Sequence, residues 1–212
     1  MRRKISFVAA LSVLLVFSLN AAGRCGLERM VNFGITLPLG EFAEKDKGLA
    51  LTSGCLGAGL LYDLSGGVAL CGNFSYRHFG AALLSDSLGG SWRVLSLTGG
   101  LRLSRGMIGP YIPYLELGGG TFWPDLKVST PTADSILSYE SSFGLYGGLG
   151  LKSASGGAVT YELAIRFYRF TIDEGDLGPQ YEFFVAPPSE MSGNFYYLTV
   201  EGAVLFNIPA SF

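Results

Sequence analysis

From Asn194 onward the end of the chain alternates residue by residue. Tyr196, Leu198, Val200, Gly202, Val204, Phe206 and Ile208 fall on one face, and Tyr197, Thr199, Glu201, Ala203, Leu205 and Asn207 on the other. Side chains of a strand point to opposite faces with a period of two, so this stretch reads as a long strand that divides an apolar medium from a wetter one. One face is apolar and the other mixed, and this contrast constrains the fold more than any composition figure does.

The same contrast recurs along the chain. The first strand, Met30 to Pro38, sets Val31, Phe33, Ile35 and Leu37 against Asn32, Gly34 and Thr36. The second runs from about Ala50 to Tyr62 and the third from Val68 to Phe79, joined by the tight Asp63-Leu64-Ser65-Gly66-Gly67 turn. In the fourth, Leu95, Leu97, Leu101 and Leu103 oppose Val94, Ser96, Thr98 and Arg102; in the fifth, Tyr111, Leu115 and Leu117 oppose Tyr114, Glu116 and Gly118. The sixth, Ser142 to Lys152, and the seventh, Val159 to Tyr168, repeat the pattern before the closing strand. Short turns at 104–108 and 153–157 complete the tight connections. The stretches 39–48, 78–91, 123–140 and 171–193 are long loops, and Pro124 and Pro131 mark the third as irregular.

Eight strands with long loops alternating strictly with short turns predict an all-β fold, an eight-stranded antiparallel up-and-down transmembrane β-barrel. In lipid every backbone donor and acceptor must be paired within the protein, and among sheets only a closed barrel meets that demand. A soluble, lipocalin-like barrel alternates in the same way with its apolar side inward. The charges on the mixed faces favour the membrane form: Arg77, Arg102, Arg166, Glu116, Glu162 and Glu201, three of each sign, suit a narrow lumen if they pair there. Glu201 is the partner expected for Arg166 or for a neighbour one layer away. Glu162 and Arg166, four residues apart on one strand, are expected to find partners across strands and not each other.

Residues 1–23 read as a secretory signal peptide and 24–212 as the barrel domain. Arg2, Arg3 and Lys4 precede an apolar run to Leu19 and a small-residue region, Ala21-Ala22-Gly23. The run is too short to span a bilayer comfortably, and Arg24 before Cys25 fits a lipid-attachment site poorly. Three cysteines cannot all pair. Cys55 and Cys71 lie on neighbouring strands about four residues out of register by reflection through Ser65, too far for a disulfide.

Several segments resemble a known family. Gly34-Ile35-Thr36-Leu37-Pro38-Leu39-Gly40-Glu41-Phe42 is similar to the opening strand and first loop, and Pro110-Tyr111 through Leu115-Glu116-Leu117-Gly118-Gly119-Gly120 to the fifth strand, of the small outer-membrane β-barrels that include OmpX- and OmpW-type proteins. The terminal Phe212 resembles the signal such barrels present to their assembly machinery. The resemblance implies a Gram-negative outer membrane with both termini in the periplasm, and a monomer. It also implies barrel-assembly factors and periplasmic chaperones as partners during insertion. It identifies an architecture and leaves the activity open.

Catalytic chemistry has little to stand on. The single histidine, His78, lacks a following serine, since Phe79 and Gly80 come next, and reads as an interface residue; no cofactor or metal ligand set is expected. Gly118-Gly119-Gly120 sits within a strand, where it permits bending and close packing. No basic patch supports nucleic-acid binding. The long loops are strongly acidic, while Arg93 and Arg169 point to the lipid side just below them, a disposition suited to lipopolysaccharide. The expectation is a structural or surface-interaction protein with a side-chain-filled lumen. A passive channel for small solutes is the alternative, and a lipid A-modifying enzyme the third reading.

Overall fold

The computed structural model describes residues 26–43, 50–81, 89–129, 134–154, 157–172 and 193–207. The signal segment, Cys25 and Phe212 lie outside these residues.

The strands are β1 (Leu27–Leu39), β2 (Ser53–Ser65), β3 (Val68–Ala81), β4 (Gly89–Ser104), β5 (Tyr111–Ser129), β6 (Asp134–Ser138), β7 (Ser142–Ser153), β8 (Val159–Ile172) and β9 (Gly193–Asn207). All pairings are antiparallel, in the order β4-β3-β2-β1-β9-β8-β7-β5, and pairing of β4 with β5 closes the ring. The result is a closed eight-stranded up-and-down barrel, with β6 attached to β5 as an extension of the wall. Closure leaves no strand of the ring with a free edge, the condition for a sheet in lipid.

Which face turns inward is decided by the burial pattern. The apolar face lies outside: Phe143 is 69%, Leu149 64% and Ile35 59% exposed, whereas Asn32, Thr36, Ser96 and Thr199 are fully buried. The lipocalin-like arrangement is thereby excluded. On β8 the outward apolar residues run from Val159 to Phe167. That is about 27 Å of strand, or about 21 Å of height at a tilt of about 40°, close to the thickness of a membrane barrel's apolar band. Exposed aromatic residues ring this band at both ends, Tyr111, Tyr161 and Phe206 toward the turns and Tyr76, Phe143 and Phe167 toward the loops.

Three sequence expectations need correcting. The third loop is not irregular: β5 continues to Ser129 and returns as β6, with Val94 still paired to Pro124. Pro124 is tolerated because the ladder on that side is already interrupted there, β5 pairing with β7 as far as Phe122 and with β6 from Asp125. Likewise β3 and β4 extend to Ala81 and from Gly89, so the second loop is shorter than 78–91. Finally, Cys55 faces Arg77 while Cys71 faces Leu61, an offset of six residues instead of four (77 − 71). The turn is centred on Gly66 and Gly67, both at positive φ (62° and 82°), and the ladder slips between Asp63 and Ser65. Both thiols are free and buried in the lumen.

Candidate functional site

The lumen holds three arginines and three glutamates, all nearly or fully buried: Arg77, Arg102, Arg166, Glu116, Glu162 and Glu201. Strand register explains how they meet. Arg102 on β4 lies directly opposite Glu116 on β5, and Glu116 is separated from Arg166 on β8 only by Gly148 on β7, which leaves the space between them clear. Arg102 donates to Glu116 Oε2 from Nη2 (2.8 Å) and Nε (3.2 Å), and to Glu162 from Nη1 (2.6 Å) and Nη2 (3.2 Å). Arg166 sits at the hub. Its Nη1 lies 2.5 Å from Glu201 Oε2, its Nη2 3.1 Å from Glu162 Oε1, and its Nε 3.4 Å from Glu116 Oε1. Glu201 is diagonal to Arg166, because Thr199 is the residue directly opposite.

The contact between Arg166 and Glu162 overturns the expectation that residues four apart on one strand stay separate. Their Cα atoms are about 13 Å apart along the strand, but both side chains are long and lie along the lumen toward each other.

The third arginine, Arg77, reaches Glu201 Oε1 at 3.4 Å and donates from Nη1 to Ser96 Oγ (3.0 Å) and Ser75 Oγ (2.5 Å). Its guanidinium lies 4.4 Å from the centre of the Tyr168 ring and 5.0 Å from that of Tyr197. Arg102 likewise lies 3.9 Å over Tyr114, whose hydroxyl donates to Glu162. Formal charges in this layer cancel. Each guanidinium is bound by carboxylates, hydroxyls or ring faces, which is what burial requires of a charge.

Partners that alternation alone does not disclose complete the layer. Asn32 Nδ2 donates to Glu201 Oε2 at 2.8 Å, and nearer the turns Lys152 Nζ pairs with Glu28 Oε2 at 2.5 Å. Inward glycines make room for the bulky groups. A Cβ at Gly150 would overlap the Tyr114 ring, and one at Gly118 would meet Tyr146, which instead bonds Cys71 Sγ at 3.3 Å.

Above the charges, toward the loops, the lumen is aromatic. Phe79, Trp92, Phe122, Phe170, Phe195, Tyr168 and Tyr197 come from strands. Phe42 comes from a 3-10 turn, Gly40–Phe42, that follows β1, and Tyr139 follows β6 and stacks on Trp92 at 5.4 Å. Burial pushes the Tyr139 phenol up to about 12. At the opposite end a cavity of about 480 Å³ reaches inward from the turns, lined by Leu61, Val68, Met107, Ile112, Lys152 and Arg102.

The remaining predicted residues lie outside the lumen. Arg93 is on the outer face of β4, opposite both His78 and Asp125. Arg169 on β8 donates from Nε and Nη2 to Asn194 Oδ1 (3.1 and 2.8 Å) and lies 5.9 Å over Tyr196. His78 is exposed on the outer face, away from the lumen charges.

The barrel superposes on the crystal structure of Neisserial surface protein A with a TM-score of 0.57, over 86% of this chain and 97% of that one, at 12% identity. It has the fold of the small outer-membrane β-barrels. A major outer membrane protein from Thermus thermophilus superposes with a TM-score of 0.51 over 86% of this chain and 99% of that one, also at 12% identity. At this identity the shared property of these outer-membrane barrels is architecture. No protein-family model and no curated protein matches the chain.

Proposed function

We propose that the protein is an integral outer-membrane barrel with a structural or surface-interaction role and a lumen that does not conduct. The observation that carries this reading is the mutually neutralised layer of Arg77, Arg102, Arg166, Glu116, Glu162 and Glu201 across the lumen. An eight-stranded barrel is just wide enough for side chains to fill, and an ion passing this layer would have to part buried pairs that cost several kcal/mol to break. The short turns and both chain ends then face the periplasm, with the long loops outside. Arg93 and Arg169 would meet lipopolysaccharide phosphates, a reading supported by their outward positions on the loop side of the apolar band. The barrel inserts as a monomer with the help of periplasmic chaperones and the assembly machinery.

Planar-bilayer recording tests the closed lumen: the purified protein is expected to give no unitary current steps. Steady, reproducible conductance would overturn the reading in favour of a solute channel. Membrane fractionation combined with heat-dependent gel mobility tests location and barrel state together, with recovery in the outer-membrane fraction and a mobility shift on boiling as the expected result.

A further inference from the structure

Most rings of the aromatic layer are carried by strands and cannot leave without breaking the barrel wall. Phe42 is different, because it rides on one 3-10 turn after β1. It is fully buried and contacts four rings from four strands: Phe79 at 5.0 Å, Phe195 at 5.2 Å, Trp92 at 5.7 Å and Phe170 at 6.1 Å between centroids. All four contacts are edge-to-face, with interplanar angles of 70° to 89°, the arrangement in which one ring's positive edge meets another's negative face. Among the described residues, the backbone bonds that hold the turn bearing Phe42 are Ala43 N to Gly40 O and Ala50 N to Phe42 O. It departs from β1 through Gly40 at φ 56°, a conformation that costs glycine little.

The four-ring chamber is therefore built into the barrel wall, while the ring inside it belongs to a connection. With Phe42 withdrawn, the strands would retain an apolar cavity about the size of a benzene ring, and cavities of that size and lining stay dry and take up small aromatic molecules. Its floor is closed by Tyr168 and Tyr197, stacked at 4.8 Å, over Arg77.

We propose that this chamber is a blind binding site for a neutral, single-ring or indole-sized aromatic solute, and that Phe42 occupies it as an intramolecular competitor. The cage matches such a ligand because it already holds one, a phenyl ring gripped by four others. A competitor on the same chain weakens the apparent affinity by the fraction of time the chamber stands empty, so removing it strengthens binding without adding a contact. The inference goes beyond the structural role above and does not depend on it, since a blind site binds without conducting.

The chain's two tryptophans allow a direct test in phosphatidylcholine vesicles with bromobenzene, whose heavy atom quenches on contact. Trp92 lines the chamber and Trp123 lies on the outer face of β5. Trp123→Phe therefore leaves a reporter of the chamber, and Trp92→Phe leaves a reporter of quencher dissolved in the bilayer. Trp92 should show a saturable quenching component absent from Trp123, and adding Phe42→Ala should tighten it at least tenfold. Phe42→Leu, which keeps the chamber partly filled, should fall between the two and serves if the alanine variant does not fold. Quenching of Trp92 in the Trp123→Phe protein that merely tracks quenching of Trp123 in the Trp92→Phe protein, or an affinity unchanged by both Phe42 substitutions, would overturn the proposal.

Discussion

Neutralising Glu201 and Arg166, singly and together, tests whether the lumen charges act as one layer. The six charges sum to zero, so Glu201→Gln leaves a net positive lumen and Arg166→Gln a net negative one. The consequences are unequal in detail. Without the Glu201 carboxylate, Arg77 loses its carboxylate partner at 3.4 Å and keeps only hydroxyls and ring faces, while Arg166 retains Glu116 and Glu162. Without the Arg166 guanidinium, Glu116 and Glu162 retain Arg102, and Glu201 retains Arg77 and Asn32. Removing one partner of a buried pair costs about 3 to 5 kcal/mol, mostly through the charge left behind. Each single variant should lose an amount in that range. The double variant restores neutrality, so its loss should fall short of the sum by about 0.5 to 3 kcal/mol. Reversible urea unfolding in phospholipid vesicles, followed by tryptophan fluorescence, measures all four corners of the cycle, and equal slopes would show that the unfolded reference is shared. Additivity to within about 0.5 kcal/mol would refute a direct coupling across the 2.5 Å contact.

Val200→Arg should cost about 2 to 4 kcal/mol in the same assay, because Val200 faces outward near mid-band, while Val200→Leu should be nearly neutral; the reverse order would show that the faces are misassigned. Gly150→Ala should lose about 1 to 3 kcal/mol by pushing Tyr114 off Glu162 and Arg102. Gly99→Ala, on the outer face with its nearest neighbouring atom 3.7 Å from the added carbon, should change stability little, and equal losses at the two glycines would remove the packing argument. The Tyr139 phenol should titrate near 12 instead of 10. Since burial raises the folded value above the unfolded one, its contribution is complete below about pH 10 and is lost as pH rises through about 12. A phenolate difference spectrum between the parent and Tyr139→Phe that rises near pH 10 would show that the ring is not held against Trp92.

Alternation made the barrel legible because it is a local property: each inward or outward position follows from its neighbours. The faces of β8, for instance, read Val159, Tyr161, Leu163, Ile165 and Phe167 outward from the sequence alone. What lay beyond reach depends on shear, which sets the height at which residues of different strands meet. Lys152 is directly opposite Glu162 yet bonds Glu28 across the lumen, and Glu162 turns instead to Arg102, Tyr114 and Arg166. The burial of Phe42 could not be read from periodicity at all, since it sits after a strand has ended. Its one local cue is Gly40, which permits the chain to turn inward. Shear also defeats a simple reading of Thr199: alternation makes Thr199→Arg look like a change into a polar lumen, yet Thr199 is fully buried directly opposite Arg166, where a second guanidinium would meet both crowding and like charge.

The two layers of the lumen differ in what it takes to pass them. In the aromatic layer, exchanging Phe42 for a free ring replaces one set of edge-to-face contacts with another, so the net free energy is small and the barrier is the movement of a single turn. In the charge layer there is no substitute for the parted groups, because a neutral solute offers Arg166 nothing in place of Glu116, Glu162 and Glu201. A small ion would satisfy one sign only and leave the opposite one unpaired in a medium where isolated charges are costly. A solute arriving from the loop end therefore reaches the first layer more easily than the second. The cavity of about 480 Å³ at the turn end stops against Arg102, on the other side of the same layer. The barrel thus has one recess at the turn end and, beyond a neutralised salt-bridge layer, an aromatic chamber at the loop end that Phe42 fills, a form in which a ligand exchanged for Phe42 would be held at one surface and poorly passed to the other.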